Sequence, residues 1–140
     1  MSNFKLGIIG AGFISRFHAK AMQLVRGVEL AGVYSPNSGP KLAALAAELG
    51  VGECTVYDSI AELCNNVDAV CIFSPNYTRV DTMGAVVDAV KAGAALKGII
   101  IEKPLGRTVA EAQTLVDLAK DAGVPTAYFE NQIHMKGIRA

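Results

Sequence analysis

Two stretches of the sequence offer chemistry: a lysine braced by its neighbours, and a glycine turn. The first is Glu102-Lys103-Pro104, directly after the apolar run Ile99-Ile100-Ile101. A charged pair in that place is unusual for a plain strand exit. The residue before a proline is confined to extended conformations, and the Lys103–Pro104 linkage is a candidate for the cis form. Either fixes where the Lys103 ammonium points. At the mouth of a cleft that ammonium would hydrogen-bond a substrate hydroxyl or carbonyl and pass a proton; the plainer alternative is a surface loop. The second stretch is Gly7-Ile8-Ile9-Gly10-Ala11-Gly12-Phe13-Ile14-Ser15. An apolar run, Phe4 to Ile9, leads in, and a helical pattern starting near Phe13 leads out. Strand, tight glycine turn and helix together make a phosphate site, with Gly10 forming the turn and Gly12 letting backbone N–H groups reach a pyrophosphate. Ser15 stands where a third glycine is usual, a position that serves close helix–strand packing.

The elements that must hold these residues follow from period and punctuation. A first helix is expected from Phe13 to about Arg26, burying Ile14, Phe17, Ala21, Leu24 and Val25, with His18 beside that stripe in a packing or hydrogen-bonding role. A second strand covers Val28–Tyr34. A helix starts near Pro40 and ends at Gly50, with Leu42, Leu45 and Leu49 inward. Cys54–Tyr57 reads as a short strand, and Ser59 to Glu62 as a capping box opening a short helix. Asp68–Phe73 is a strand apolar enough to be buried on both faces. Thr78 with Asp81 resembles another capping box, for a helix striped by Val80, Met83, Val87 and Val90. A fifth strand lies within Gly98–Glu102. Thr108 with Glu111 caps a helix that ends at Gly123, and Val124–Phe129 is a sixth strand. Alternation of this kind, with short connections, predicts an α/β fold with a doubly wound, mostly parallel sheet of about six strands in the order 3-2-1-4-5-6.

In such a sheet, ligands bind beyond the carboxyl ends of the strands. Those ends are Gly10–Ile14, Tyr34–Lys41, Ser74–Tyr77 and Glu102–Pro104, and each carries polar or conformationally special residues. NAD sites place a carboxylate at the second strand end to bind the ribose 2′-hydroxyl. Here Ser35 takes that place, followed by Asn37, Ser38 and Lys41, and no carboxylate occurs between Glu29 and Glu48. A 2′-phosphate would meet no repulsion and would pair with Lys41, which favours NADP over NAD; the alternative for Lys41 is a solvated helix position. Ser74-Pro75-Asn76 is a turn before a helix, or a wall beside the nicotinamide ribose.

The totals exclude several classes. Thirteen basic and thirteen acidic residues in 140 leave no net charge for an electrostatic nucleic-acid binder and little to oppose self-association. The three cysteines form no C-x-x-C pair and the sequence has two histidines, so neither a disulfide framework nor a metal site is expected. No apolar run reaches the roughly 20 residues of a membrane span, and Arg16 and Lys20 interrupt any leader-like start. The expected protein is cytoplasmic.

With these residues set out, the sequence resembles the N-terminal Rossmann domain of the glucose–fructose oxidoreductase / inositol 2-dehydrogenase (Gfo/Idh/MocA) family. The resemblance rests on the glycine turn, Ser74-Pro75-Asn76 and above all Glu102-Lys103-Pro104, with support from Arg16-Phe17-His18-Ala19, Ala46 to Gly50 and Glu130-Asn131-Gln132. It implies NAD(P)-dependent oxidation or reduction of a CH–OH group on a sugar, inositol or related polyol. By the same resemblance Gly10, Gly12, Phe13 and Ile14 hold the pyrophosphate. Ser35, Asn37 and Lys41 face the adenosine ribose, and Ser74, Pro75 and Asn76 flank the nicotinamide with Glu102 nearby. Lys103 touches substrate and assists proton transfer. Arg79 stands where many members have histidine, and the segment from Ala94 to Ile101 is longer than in many. The family's second, substrate-binding domain would begin where this sequence stops. The expectation is therefore a cofactor domain at 1–130 with an exit segment at 131–140. It would be truncated relative to the family and inactive alone, with a small substrate bound only when that second domain is supplied. Apolar surface left by the missing domain would promote a homo-oligomer. A non-catalytic dinucleotide-sensing module and a methyl-donor site are the competing readings.

Overall fold

The computed structural model describes residues 3–135 and 137. Six strands form one sheet: β1 (Phe4–Ile9), β2 (Val28–Tyr34), β3 (Thr55–Val56), β4 (Ala69–Ile72), β5 (Gly98–Glu102) and β6 (Thr126–Phe129). Their order is β3-β2-β1-β4-β5-β6. Every neighbouring pair is parallel, so the expected architecture is the observed one. The reason is visible in β4, where all four residues are buried. An all-parallel sheet has both faces covered by crossover helices, and only strands apolar on both sides fit its middle.

Five helices make the crossovers: α1 (Phe13–Ala21), α2 (Gly39–Leu49), α3 (Ile60–Asn66), α4 (Arg79–Lys91) and α5 (Val109–Ala122). Two cores result. One packs Leu63, Met83, Val86, Val87 and Leu115 of α3, α4 and α5 against Ile9, Val70, Ile72 and Ile99. The other packs Ala19, Leu42 and Ala46 of α1 and α2 against Ile8, Leu30, Val33 and Cys71. Ile8, Leu30, Leu42, Ile72 and Ile99 are fully buried, each contributing about 1.5–3 kcal/mol by leaving water. Three helices on one face and two on the other leave part of the sheet uncovered. An apolar groove of about 430 Å³ runs there, lined by Leu6, Ile8, Cys71, Ile100 and Phe129 with Met22 and Val25.

Helix ends follow local chemistry. Ser59 Oγ accepts from the Glu62 N–H (3.1 Å) and Thr108 Oγ1 from the Glu111 N–H (3.2 Å). Gly50 and Gly123 close α2 and α5 in the left-handed conformation. Thr78 departs from expectation: its hydroxyl donates to the Pro75 carbonyl (2.8 Å) and caps nothing. The first helix is also corrected. It stops at Ala21, a 3₁₀ turn covers Met22–Leu24, and its buried residues are Ser15 and Ala19, followed by Met22 in the turn. Phe17, Leu24 and Val25 are exposed. A helix that starts at a glycine turn lies close to its strand, and small side chains fit that contact where Phe17 would not. Of the thiols, Cys64 and Cys71 are buried and Cys54 half-buried. Burial pushes their pKa values up, to about 11 for Cys64 and about 12 for Cys54 and Cys71.

Asp68 ties three strand starts together. Its carboxylate accepts from the Lys5 N–H at the start of β1 (2.8 Å) and from Lys97 Nζ just before β5 (2.6 Å). These bonds, led by the one from Lys97, hold its pKa below the usual carboxylate value. A depressed folded-state pKa means stability that is present above the unfolded pKa and lost as pH falls through the folded one. Asp68→Asn is therefore expected to lower stability at neutral pH by up to about 1 kcal/mol, the solvent-screened scale. The deficit should shrink as pH falls below about 4. Urea melts at both pH values check this, and an unchanged deficit in acid would refute it.

Candidate functional site

The carboxyl ends of β1, β2 and β4 open into one cavity of about 600 Å³, within the range of small-molecule sites. Its walls include Gly10, Gly12, Phe13 and Ile14 from the first turn, Ser35 and Asn37 from the second, and Ser74 and Pro75 from the fourth. These expected site residues, far apart in sequence, share one space. Asn76 and Lys41 stand outside that lining, Lys41 exposed on the first turn of α2. Glu102 and Lys103 are also outside it, on the next strand end.

The glycine turn is built to receive an anion. Gly10 has φ +95°, and a Cβ there would lie 2.8 Å from the Ser74 N, so the turn presses against the exit of β4. At Gly12 a Cβ would meet nothing within 4 Å; the space belongs to whatever approaches the backbone. Gly12 begins α1 without a side-chain cap, and the first turn holds no acidic residue. Unpaired N–H groups and the positive end of the helix dipole therefore remain for a phosphate. Ser15, fully buried, donates its hydroxyl to the Gly10 carbonyl (2.7 Å) and ties helix to turn. Ser74 Oγ is buried with no hydrogen-bond partner, a polar atom that a bound ligand would satisfy. On these grounds the residues fit a dinucleotide.

Lys103 is exposed, but its backbone is gripped from two sides. Glu102 Oε2 accepts the Lys103 N–H (2.6 Å), and Arg79 Nη2 donates to the Lys103 carbonyl (3.2 Å). The Lys103–Pro104 bond is cis. Glu102 and Arg79 are only 7% and 4% exposed. Burial lowers the Arg79 pKa, and the Glu102 carboxylate offsets part of that. The other Glu102 oxygen, Oε1, lies 3.5 Å from His18 Nε2. His18 stacks on Phe73 at 4.4 Å and lies 5.4 Å from Phe129. It thus fills the packing and hydrogen-bonding role expected of it, and links the cofactor helix to the strand that carries Lys103.

Arg79 and Thr82 were not among the expected site residues, yet both line the cavity. A signal existed: Arg79, Thr82, Met83, Val86 and Val87 fall at i, i+3, i+4, i+7 and i+8, and all are buried. An apolar-only stripe passes over the first two.

A model of an oxidoreductase family with an NAD-binding Rossmann fold, Gfo/Idh/MocA, matches residues 4–129. The chain belongs to this family. Its N-terminal, NAD(P)-binding domain accounts for the fold and the glycine turn found here. UDP-N-acetylglucosamine 3-dehydrogenase of Acidithiobacillus ferrooxidans is 34% identical over 122 residues, covering 86% of this chain and 35% of that protein. Glucose-6-phosphate 3-dehydrogenase of Bacillus subtilis is 29% identical over 120 residues, covering 86% and 31%. The solved structure of the Acidithiobacillus enzyme superposes with a TM-score of 0.75 at 29% identity, over 99% of this chain and 42% of that one. The chain spans about a third of the length of these curated relatives. Among the described residues no helix is long and apolar enough to cross a membrane.

Proposed function

We propose that this chain is the cofactor half of an NAD(P)-dependent oxidoreductase acting on a CH–OH group of a sugar, inositol or related polyol. One observation carries the reading: three strand ends that are distant in sequence line one cavity around an uncapped glycine turn, with the gripped Lys103 on the neighbouring strand end. Two relatives, the UDP-N-acetylglucosamine 3-dehydrogenase and the glucose-6-phosphate 3-dehydrogenase, are by name dehydrogenases of sugar derivatives and support the substrate class.

Bound NAD(P) supplies the hydride acceptor or donor. Gly10, Gly12, Phe13 and Ile14 hold its pyrophosphate, with Ser35 and Asn37 at the adenosine ribose. Ser74, Pro75 and Asn76 stand at the nicotinamide side, with Glu102 behind them. Lys103 hydrogen-bonds the reacting hydroxyl and passes its proton. In this reading residues 131–140, of which 136 and 138–140 lie outside the described residues, are the exit segment towards a substrate-binding domain, and turnover needs such a domain. Among the described residues no carboxylate lines the cavity, which supports NADP over NAD, with Lys41 available to a 2′-phosphate from outside the lining. Self-association through the uncovered apolar groove belongs to the same reading.

Sedimentation velocity with NADPH or NADH, followed at the nicotinamide absorbance, tests both parts. The expected result is saturable co-sedimentation of either dinucleotide, tighter for NADPH, on a species heavier than the 14.7 kDa monomer. Absence of bound dinucleotide at saturating concentration would sink the cofactor reading, and a clean monomer would sink the self-association.

A further inference from the structure

We propose that Arg79 couples occupancy of the dinucleotide cavity to the placement of Lys103. The inference rests on reading that cavity as a dinucleotide site. Arg79 is 4% exposed and forms part of the cavity wall with Gly10, Ser74 and Thr82. Its Nη2 donates to the Lys103 carbonyl at 3.2 Å. Its Nε and Nη1 are buried without a partner, and so is Ser74 Oγ in the same wall. Buried donors without acceptors are rare in folded proteins and call for an explanation. Here three such atoms belong to two residues, Arg79 and Ser74, that line the space the ligand is read to fill. A dinucleotide is rich in acceptors, namely ribose hydroxyls, phosphate oxygens and the carboxamide oxygen. Those of its nicotinamide half, towards Lys103, would satisfy the Arg79 and Ser74 donors.

The same guanidinium then bonds the ligand and the Lys103 carbonyl. The opposite side of the residue stays fixed, because its N–H is held by Glu102 at 2.6 Å. Re-aiming Arg79 therefore turns the Lys103 peptide about a held end and moves the ammonium at the mouth of the cleft. Residue type matters. A neutral histidine has one N–H donor, whereas the planar guanidinium has five and can serve both partners at once. Arg79 is thus a positioning residue, acting on the reaction through Lys103.

The test uses the 140-residue chain with its lysines dimethylated by a ¹³C reagent, the Lys103 resonance being the one missing from Lys103→Arg. In the wild type, saturation with NADPH is expected to shift the Lys103 resonance. In Arg79→Met, NADPH should still bind, about tenfold more weakly for the lost charged hydrogen bonds, and the Lys103 resonance should no longer respond. Arg79→Gln keeps an amide donor for the Lys103 carbonyl and is the second variant if Arg79→Met does not fold. It is expected to bind NADPH with the Lys103 response reduced. A Lys103 response to NADPH in these variants equal to that of the wild type would overturn the coupling while leaving the dinucleotide reading intact. Failure of the wild type to bind either dinucleotide would overturn both.

Discussion

Gly12→Ala is expected to abolish tight dinucleotide binding while leaving the fold intact. The structural half of that expectation rests on space and conformation. Gly12 has φ −80° and ψ −161°, extended backbone that alanine adopts without strain. An added Cβ finds no atom within 4 Å. Alanine is a poorer helix N-cap than glycine by up to about 1 kcal/mol, and its smaller unfolded-state entropy returns about 0.4–1 kcal/mol. The melting temperature should therefore stay within about 3 °C. The functional half rests on the same empty space. It is where a pyrophosphate must come to meet the uncapped N–H groups of α1, and a methyl group there holds the anion away. Binding should weaken by at least about tenfold, as loss of one charge-assisted hydrogen bond implies. Thermal melts with and without NADPH read both halves. Ligand at about a hundred times its Kd should stabilise the wild type by about 2.7 kcal/mol, and at least about half of that gain should vanish in the variant. An equal ligand-induced shift in both proteins would mean that the pyrophosphate is held elsewhere.

How much of this was legible beforehand depended on whether the signal was local. The strand order, the span of β2 and the ends of α2 and α5 follow from apolar runs and from Gly50 and Gly123, which act within a few residues of themselves. The gathering of Gly10, Ser35 and Ser74 follows from a topology rule applied to those runs. The buried face of α1 was not legible, because hydrophobic period rewards Phe17 and Leu24 while the packing distance at a phosphate turn selects Ser15 and Ala19. Thr78 shows a related limit: the Thr-x-x-Asp spacing is right, but its backbone is helical and its hydroxyl is taken by Pro75. The grip on Lys103 was hidden for a different reason. His18 meets Glu102 across 84 residues, and Arg79 reaches Lys103 across 24. Nothing in the neighbourhood of any one of these residues announces the others. A charged residue on the buried face of α4 was the one local hint, and it points to Arg79.

Gly10→Ala, two positions from the first substitution, should instead damage the fold. Gly10 has φ +95°, in the region that L side chains rarely adopt, and its Cβ would stand 2.8 Å from the Ser74 N and 2.9 Å from the Ser74 Cα. Those are backbone atoms at the exit of β4, which is paired with β1 along Leu6–Ile9, so they cannot swing aside as a flexible side chain would. Relief needs either the β1 turn or the β4 exit to move. The Ser15 hydroxyl bond to the Gly10 carbonyl and the bond from the Gly10 N–H to Tyr34 both resist it. Backbone strain of this kind costs about 1–3 kcal/mol, and the clash adds to it. A loss of about 3 kcal/mol would lower the melting temperature by roughly 10 °C in a domain of this size. Binding should fall as well, since the turn that aims α1 at the ligand is displaced, but the diagnostic is the melt without ligand. Gly12→Ala should superimpose on the wild type there, and Gly10→Ala should not. Equal stability of the two variants would mean that β1 and β4 do not meet as closely at Gly10 and Ser74 as the structure has them, and the wall between the pyrophosphate turn and the Ser74 exit would have to be redrawn.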